Sequence, residues 1–230
     1  MTPTDFKGVT NWVFDLDNTL YPAHSNLFDQ IDKKISSYVQ KLTGKNPVDA
    51  RKLQKDYYKT YGTTLRGLMM EHQIEPDDFL EYVHDIDHSC LQVDDALSDA
   101  IQRLPGKRYI LTNGTRKHAE AVAGKLGITH HFDDIFGIVE ADLIPKPAME
   151  TYSKFLELNS IDPKQAAMFE DLSRNLIAPD KLGMRTVLVV PQGTREVFRE
   201  AWEMEGENQP YVHHVTDNLG SFLQQVLREL

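Results

Sequence analysis

The chain has 230 residues, 40% of them hydrophobic, with a formal net charge of −10. That length can bury a full core and leaves room for a smaller inserted unit. The acidic balance argues against nucleic acid and anionic membrane as partners, the single cysteine (Cys90) excludes an internal disulfide, and no apolar run reaches membrane-spanning length.

The opening residues MTPTDFKGVTN lack a basic head followed by an apolar stretch, so a cytoplasmic protein is expected. The first element is a short apolar run over 12–14, read as a strand, and it ends in Asp15 and Asp17. Residues 24–90 then carry only helical patterns. The first has Phe28, Ile31, Ile35, Tyr38, Val39 and Leu42 at helical spacing, with Ser25 as N-cap and Gly44 as stop. The second opens with Asn46 and Pro47, a cap and a first-turn proline, and closes at Gly62. A shorter third follows in TTLRGLMMEHQ, and a fourth starts at Pro76 with Phe79, Tyr82, Val83 and Ile86. Four short helices in sequence suggest a small bundle.

Beyond residue 91 the texture alternates. Strand-like runs fall at 109–111, 136–139, 167–169 and 186–190, with helical patterns at 95–104, 115–126, 147–158 and 173–182. Such alternation is the signature of a parallel α/β sheet. A sixth strand is expected at 211–215 and a last amphipathic helix in NLGSFLQQVLREL. The charged stretch TREVFREAWEMEGE, which precedes that strand, reads as helical without an evident place. The expected fold is therefore an α/β, doubly wound (Rossmann-like) parallel sheet with an inserted helical cap. Residues 1–20 and 92–230 would form the core domain and 21–91 the cap. Ligands of such sheets bind beyond the carboxyl ends of the strands at the switch point.

The strand ends carry the chemistry. The first gives Asp15 and Asp17, the second Thr112, Asn113 and Gly114, and a later one Glu170 and Asp171 with Asn175 beyond. Lys146 stands just before a helix with Pro147 in its first turn. Converging carboxylates repel one another, and a hard cation resolves the conflict. Oxygen ligands without His or Cys point to Mg²⁺ and not zinc. Lys146 and the amides of Asn113 and Gly114, which precede a helix capped by Thr115, would bind an anion. A cation set beside an anion set suits phosphoryl transfer.

In that order, DLDNT, LTNG, PKP and ED resemble the four motifs of the haloacid dehalogenase-like superfamily, and the likeness spans nearly the whole chain. The insertion resembles that superfamily's helical cap of the first type. The resemblance implies Asp15 as a nucleophile forming an aspartyl-phosphate and Asp17 as general acid, then base. It implies that Thr112 hydrogen-bonds the phosphoryl group and that Lys146 pairs with Asp15 and the phosphate. Mg²⁺ would be held by Asp171, the Asp15 carboxylate and the Asp17 backbone carbonyl, with Glu170 a ligand or an outer-shell residue. An acid at Asp17 favours a phosphate ester, because an alkoxide needs a proton to leave whereas a halide does not. YYKTYGTTLRGLM and YVHDIDHS resemble the pyrimidine 5′-nucleotidase branch, which cleaves UMP and CMP. On that reading Tyr61, Thr64 and Arg66 would contact the base or ribose.

Other readings compete. A calcium loop starting at Asp15 would need Gly and Glu where Leu20 and Asn26 stand. A phosphoacceptor receiver domain has its acidic pair before the phosphorylated Asp and no cap. Tyr57, Tyr58 and Tyr61 could simply pack the cap, and His84, Asp85, Asp87 and His88 read as a helix end and hinge. The same core residues would also serve a phosphatase of sugar phosphates or FMN, a phosphomutase, or a non-catalytic phosphate-ligand sensor. The expected partner is a small-molecule phosphate ester, and the expected assembly a monomer or small homo-oligomer.

Overall fold

The structure, a computed structural model, describes residues 6–191 and 206–230. Most of the charged stretch expected as a helix, residues 194–205, lies outside the described residues. One six-stranded sheet runs in the order β3-β2-β1-β4-β5-β6 with every pairing parallel. Its strands are β1 (Asn11–Phe14), β2 (Lys107–Leu111), β3 (Asp134–Phe136), β4 (Ala166–Glu170), β5 (Arg185–Val189) and β6 (His214–Thr216). β1 is central, flanked by β2 and β4, so the switch point lies at its carboxyl end.

Strand side chains alternate between two cores. Trp12, Phe14 and Phe169 face one, Val13, Leu111 and Met168 the other. Because helices cover both faces, the strands read as continuous apolar runs. Helices α5 (Asp95–Arg103), α6 (Arg116–Leu126) and α9 (Leu219–Glu229) line the first face, and α7 (Met149–Leu158) and α8 (Ile177–Leu182) the second.

Between β1 and β2 in sequence come α1 (Leu27–Thr43), α2 (Pro47–Tyr61), α3 (Thr64–His72) and α4 (Pro76–His84). Their apolar faces meet around Ile31, Val39, Ala50, Leu68, Phe79 and Val83. The Asn46 side chain caps α2 by accepting from the Asp49 amide, and Thr63 caps α3 by accepting from the Arg66 amide.

Three local expectations are corrected. Ser25 ends a 3-10 turn, and Asn26, in the left-handed region at φ 60°, precedes α1 instead. The strand expected at 136–139 stops at Phe136, because Gly137 turns the chain against the Gly114 carbonyl. A Cβ there would sit 2.8 Å from that oxygen. Ile138 then joins the cap cluster. The helix expected from 173 starts as a 3-10 turn and becomes α-helical only at Ile177. Pro179 would clash with the carbonyl four residues back, at Asn175, in a continuous α-helix. That carbonyl accepts from the Tyr152 hydroxyl at 2.6 Å instead. No helix among the described residues is long and apolar enough to cross a membrane.

Candidate active site

The carboxyl end of the sheet gathers the motif residues. The Asp15 amide donates to Phe169 O and the Thr112 amide to Phe136 O, so the sheet ladder itself fixes where both side chains start. Lys146 is 1% exposed. Its Nζ donates to Asp15 Oδ1 at 2.6 Å, Glu170 Oε1 at 2.7 Å and Leu111 O at 2.9 Å, which uses all three protons. The loop bearing it is tied down by Asn113, whose Oδ1 accepts from the Lys146 amide at 2.8 Å and whose Nδ2 donates to Lys146 O at 3.2 Å. Asn113 was expected to hold substrate; its side chain is engaged in holding the lysine loop. The Gly114 amide donates to Thr112 Oγ1 at 2.9 Å, leaving the hydroxyl proton of Thr112 to give.

Electrostatics follow from burial. Burial alone would weaken the Lys146 ammonium, but Asp15 and Glu170 outweigh it and hold the group above its usual range. Burial pushes Asp15 up to about 7 against the pull of Lys146, with Glu170 and Asp17 adding to the rise. Glu170, also fully buried, is kept below its usual value by Lys146, the Leu172 amide and Asn175. Its Oε1 accepts from Lys146 and Asn175, and its Oε2 from the Leu172 amide at 2.8 Å. Glu170 thus anchors the lysine, which fits the outer-shell alternative better than direct ligation.

Asp15, Glu170 and Asp171 each bring a carboxylate oxygen within 4.8 Å of the others, all buried. One ammonium cannot neutralise three such groups. The Asn175 Oδ1 is also buried without a hydrogen-bond partner. An oxygen-only donor set with excess negative charge suits a hard divalent cation such as Mg²⁺.

Thr19 and Tyr21, also in the first loop, were not singled out from the sequence. Thr19 Oγ1 donates to Asp15 Oδ2 at 3.2 Å, and the Tyr21 hydroxyl to Asp17 Oδ1 at 2.6 Å. Burial would raise Asp17, yet His118 and Tyr21 hold it below its ordinary value. His118 Nε2 lies 3.0 Å from Asp17 Oδ1. His84, at the end of α4, stacks on the His118 ring at 4.5 Å and 18°.

A cavity of about 190 Å³ extends from these residues into the helices α1 to α4. Asp15, Asp17, Thr112, Asn113, Gly114, Lys146, Glu170 and Asp171 line its deep end. Phe28, Ile31, Ile35, Phe79, Leu80 and Val83 form an apolar wall, and Asp32, Gln54, Lys55 and Tyr58 a polar one. Of the cap residues expected at substrate, only Thr64 lines it, and its hydroxyl donates to Gln54 O at 3.1 Å. Tyr61 and Arg66 are not among the lining residues. The Tyr61 hydroxyl donates to Glu71, and its ring meets Tyr57, four residues earlier on the same helix face. Tyr58 sits one position round and faces the cavity instead.

The family model for haloacid dehalogenase-like hydrolases matches residues 12–181. The chain belongs to that family. Phosphate metabolism protein 8 of Saccharomyces cerevisiae is 26% identical over 93% of this chain and 69% of its own length. A HAD phosphatase from Thermococcus onnurineus superposes with a TM-score of 0.62 at 16% identity, over 95% of this chain and 98% of its own. The L-2-haloacid dehalogenase of Xanthobacter autotrophicus, with chloropropionic acid covalently bound, gives 0.57 at 18% identity over the same shares. At these identities the structural likenesses speak for the fold, and both a phosphatase and a dehalogenase share it. Membership makes the chain a hydrolase; the leaving group must be argued from its own residues.

Proposed function

We propose that this hydrolase is a Mg²⁺-dependent phosphomonoesterase acting through Asp15, with pyrimidine nucleoside 5′-monophosphates as preferred substrates. The observation that carries the reading is Asp17, a carboxyl lining the cavity next to the Asp15–Lys146 pair. A carbon–halogen bond breaks without a proton to the leaving group, whereas an ester oxygen needs one. Asp15 attacks phosphorus in line, the bond to the ester oxygen breaks, and the Asp17 proton goes to that oxygen. Water then attacks the aspartyl-phosphate, Asp17 takes its proton, and phosphate leaves. Lys146 balances charge on Asp15 and the phosphoryl oxygens, and the Thr112 hydroxyl donates to one of them. Asp15, Asp171 and the Asp17 carbonyl would hold Mg²⁺, which when bound offsets phosphoryl charge and favours ionised Asp15.

The nucleotide part of the reading rests on the cavity beyond the phosphate end. Tyr58 brings an aromatic ring over which the Arg174 guanidinium sits at 4.5 Å, Gln54 and Lys55 are polar, and the facing wall is apolar. A flat base fits such a mixed slot better than a small sugar phosphate does. Residues 21–91 would act as the cap that excludes water once substrate is bound.

The test is phosphate release in Mg²⁺ across UMP, CMP, dTMP, AMP, GMP, FMN and several sugar phosphates. Preference for the pyrimidine nucleotides, abolished by Asp15→Asn and by EDTA, is the expected result. Turnover spread over unrelated esters removes the nucleotidase part and keeps the chemistry. No turnover on any ester would favour a phosphate-ligand sensor.

A further inference from the structure

The geometry points to His118 and Tyr21 as positioning residues that fix which oxygen of Asp17 exchanges the proton. This inference rests on the phosphomonoesterase reading above. Both residues reach the same atom: the Tyr21 hydroxyl lies 2.6 Å from Asp17 Oδ1 and His118 Nε2 lies 3.0 Å from it. A carboxylate only accepts, so both partners donate to it, His118 through Nε2–H. Asp17 Oδ2 accepts no hydrogen bond from any described side chain or amide. Asp17 lines the cavity, whereas Tyr21 and His118 are not among the lining residues. The two donors therefore hold Oδ1 from behind and leave Oδ2 to face the ester.

The clamp is itself rigid. His118 has a fully buried side chain, and its helix is started by Thr115, which accepts from the His118 amide at 3.1 Å. His84 covers one face of its ring and comes from the last cap helix. Tyr21 stands four residues after Asp17 in the same loop and is 2% exposed. A carboxyl with one oxygen doubly engaged cannot rotate about its terminal bond without losing both hydrogen bonds. That lock is the kind of supporting contact a proton donor needs, since small displacements of a catalytic group are costly in rate.

The two oxygens of Asp17 thus have separate tasks. The free carboxyl is ionised; the negative charge of the incoming phosphate favours its acid form, whose proton sits on Oδ2 because Oδ1 already accepts twice. As the ester bond to phosphorus breaks, that proton moves to the departing oxygen, which keeps the electron pair of the bond. In the second step Oδ2 takes a proton from the attacking water. Oδ1 stays with Tyr21 and His118 throughout. Loss of the clamp slows the first step, which kcat/KM reports, only for substrates whose leaving oxygen needs the proton; the second step is common to all esters.

The test compares kcat/KM on UMP with kcat/KM on 2,4-dinitrophenyl phosphate, whose phenolate leaves unprotonated. Asp17→Asn sets the reference for loss of the acid. His118→Ala and Tyr21→Phe are expected to lower kcat/KM on UMP by about 10- to 100-fold, within the range of a general acid, through kcat more than KM. On the dinitrophenyl ester the expected loss is under about threefold, since no proton is needed there. His118→Gln, which restores an N–H donor, should recover most of the loss on UMP. Equal losses on both esters would assign His118 and Tyr21 a merely structural role and overturn the inference, as would an unchanged rate on UMP. If the unaltered chain releases phosphate from neither ester, the phosphomonoesterase reading falls, and this inference falls with it.

Discussion

Lys146 places its ammonium between two carboxylates and a carbonyl, out of reach of water. Removing one partner of a buried ionic group leaves the others uncompensated, a loss of roughly 3–5 kcal/mol in comparable cases. Lys146→Met should therefore lower unfolding free energy by about that much in urea titrations as well as abolish turnover. A loss below about 1 kcal/mol would mean that Asp15 and Glu170 shed their charge when the lysine goes. The residues of this cluster were legible because motif order and strand ends announce them. His118 was not: it stands 101 residues from Asp17, and no local pattern joins a helix histidine to a strand-end acid. Tyr61 and Arg66 were misplaced for a related reason. Composition marks an aromatic, polar stretch, but which tyrosine faces the cavity depends on a helix rotation of about 100° per residue.

Among the elements, α2 and α3 approach each other closely at Gly67. A Cβ on Gly67 would lie 2.5 Å from both Cβ and Cγ of Tyr57, so the residue is set by close approach of the two helices. Gly67→Ala must push α3 off α2 or turn Tyr57 out of place, and overpacking of this kind costs about 1–3 kcal/mol. A thermal melt followed by circular dichroism should show a lowered midpoint, and because Tyr58 adjoins Tyr57, KM for the preferred ester should rise with it. An unchanged melt would mean that the helices separate freely. The helix cap Asn46 could be read directly, since it needs only a short polar side chain and a free amide three residues on. The limits set by tertiary contact could not. The end of β3 depends on Gly137 meeting Gly114, whereas the start of α8 follows from Pro179 alone, which bars an α-helical turn back to Asn175.

At the scale of the whole molecule, the central place of β1 between β2 and β4 brings the motif residues to one end of the sheet. What convergence does not specify is how the inserted helices rest on the sheet. Here they do so partly through His84, stacked on His118 of α6 with His88 nearby. Burial and the charge of His118 push His84 down to about 4 from its ordinary 6.5, while Asp17 pulls the other way and His88 adds to the fall. The unfolded chain takes up this proton near 6.5 and the folded chain only near 4, so between those values the unfolded state binds more protons. Stability from a neutral, stacked His84 is complete above pH 6.5 and is lost as pH falls towards 4, a swing of up to ~3 kcal/mol at 1.36 kcal/mol per pKa unit. His84→Phe keeps the stack and removes the titration, so its urea midpoint should fall less than that of the unaltered chain between pH 7.5 and pH 5. His88 and His131 are also held below their ordinary values and contribute to both proteins alike, so the difference isolates His84. Identical pH dependence in the two would place the His84 ring in water, and with it the junction between helices α1 to α4 and the sheet.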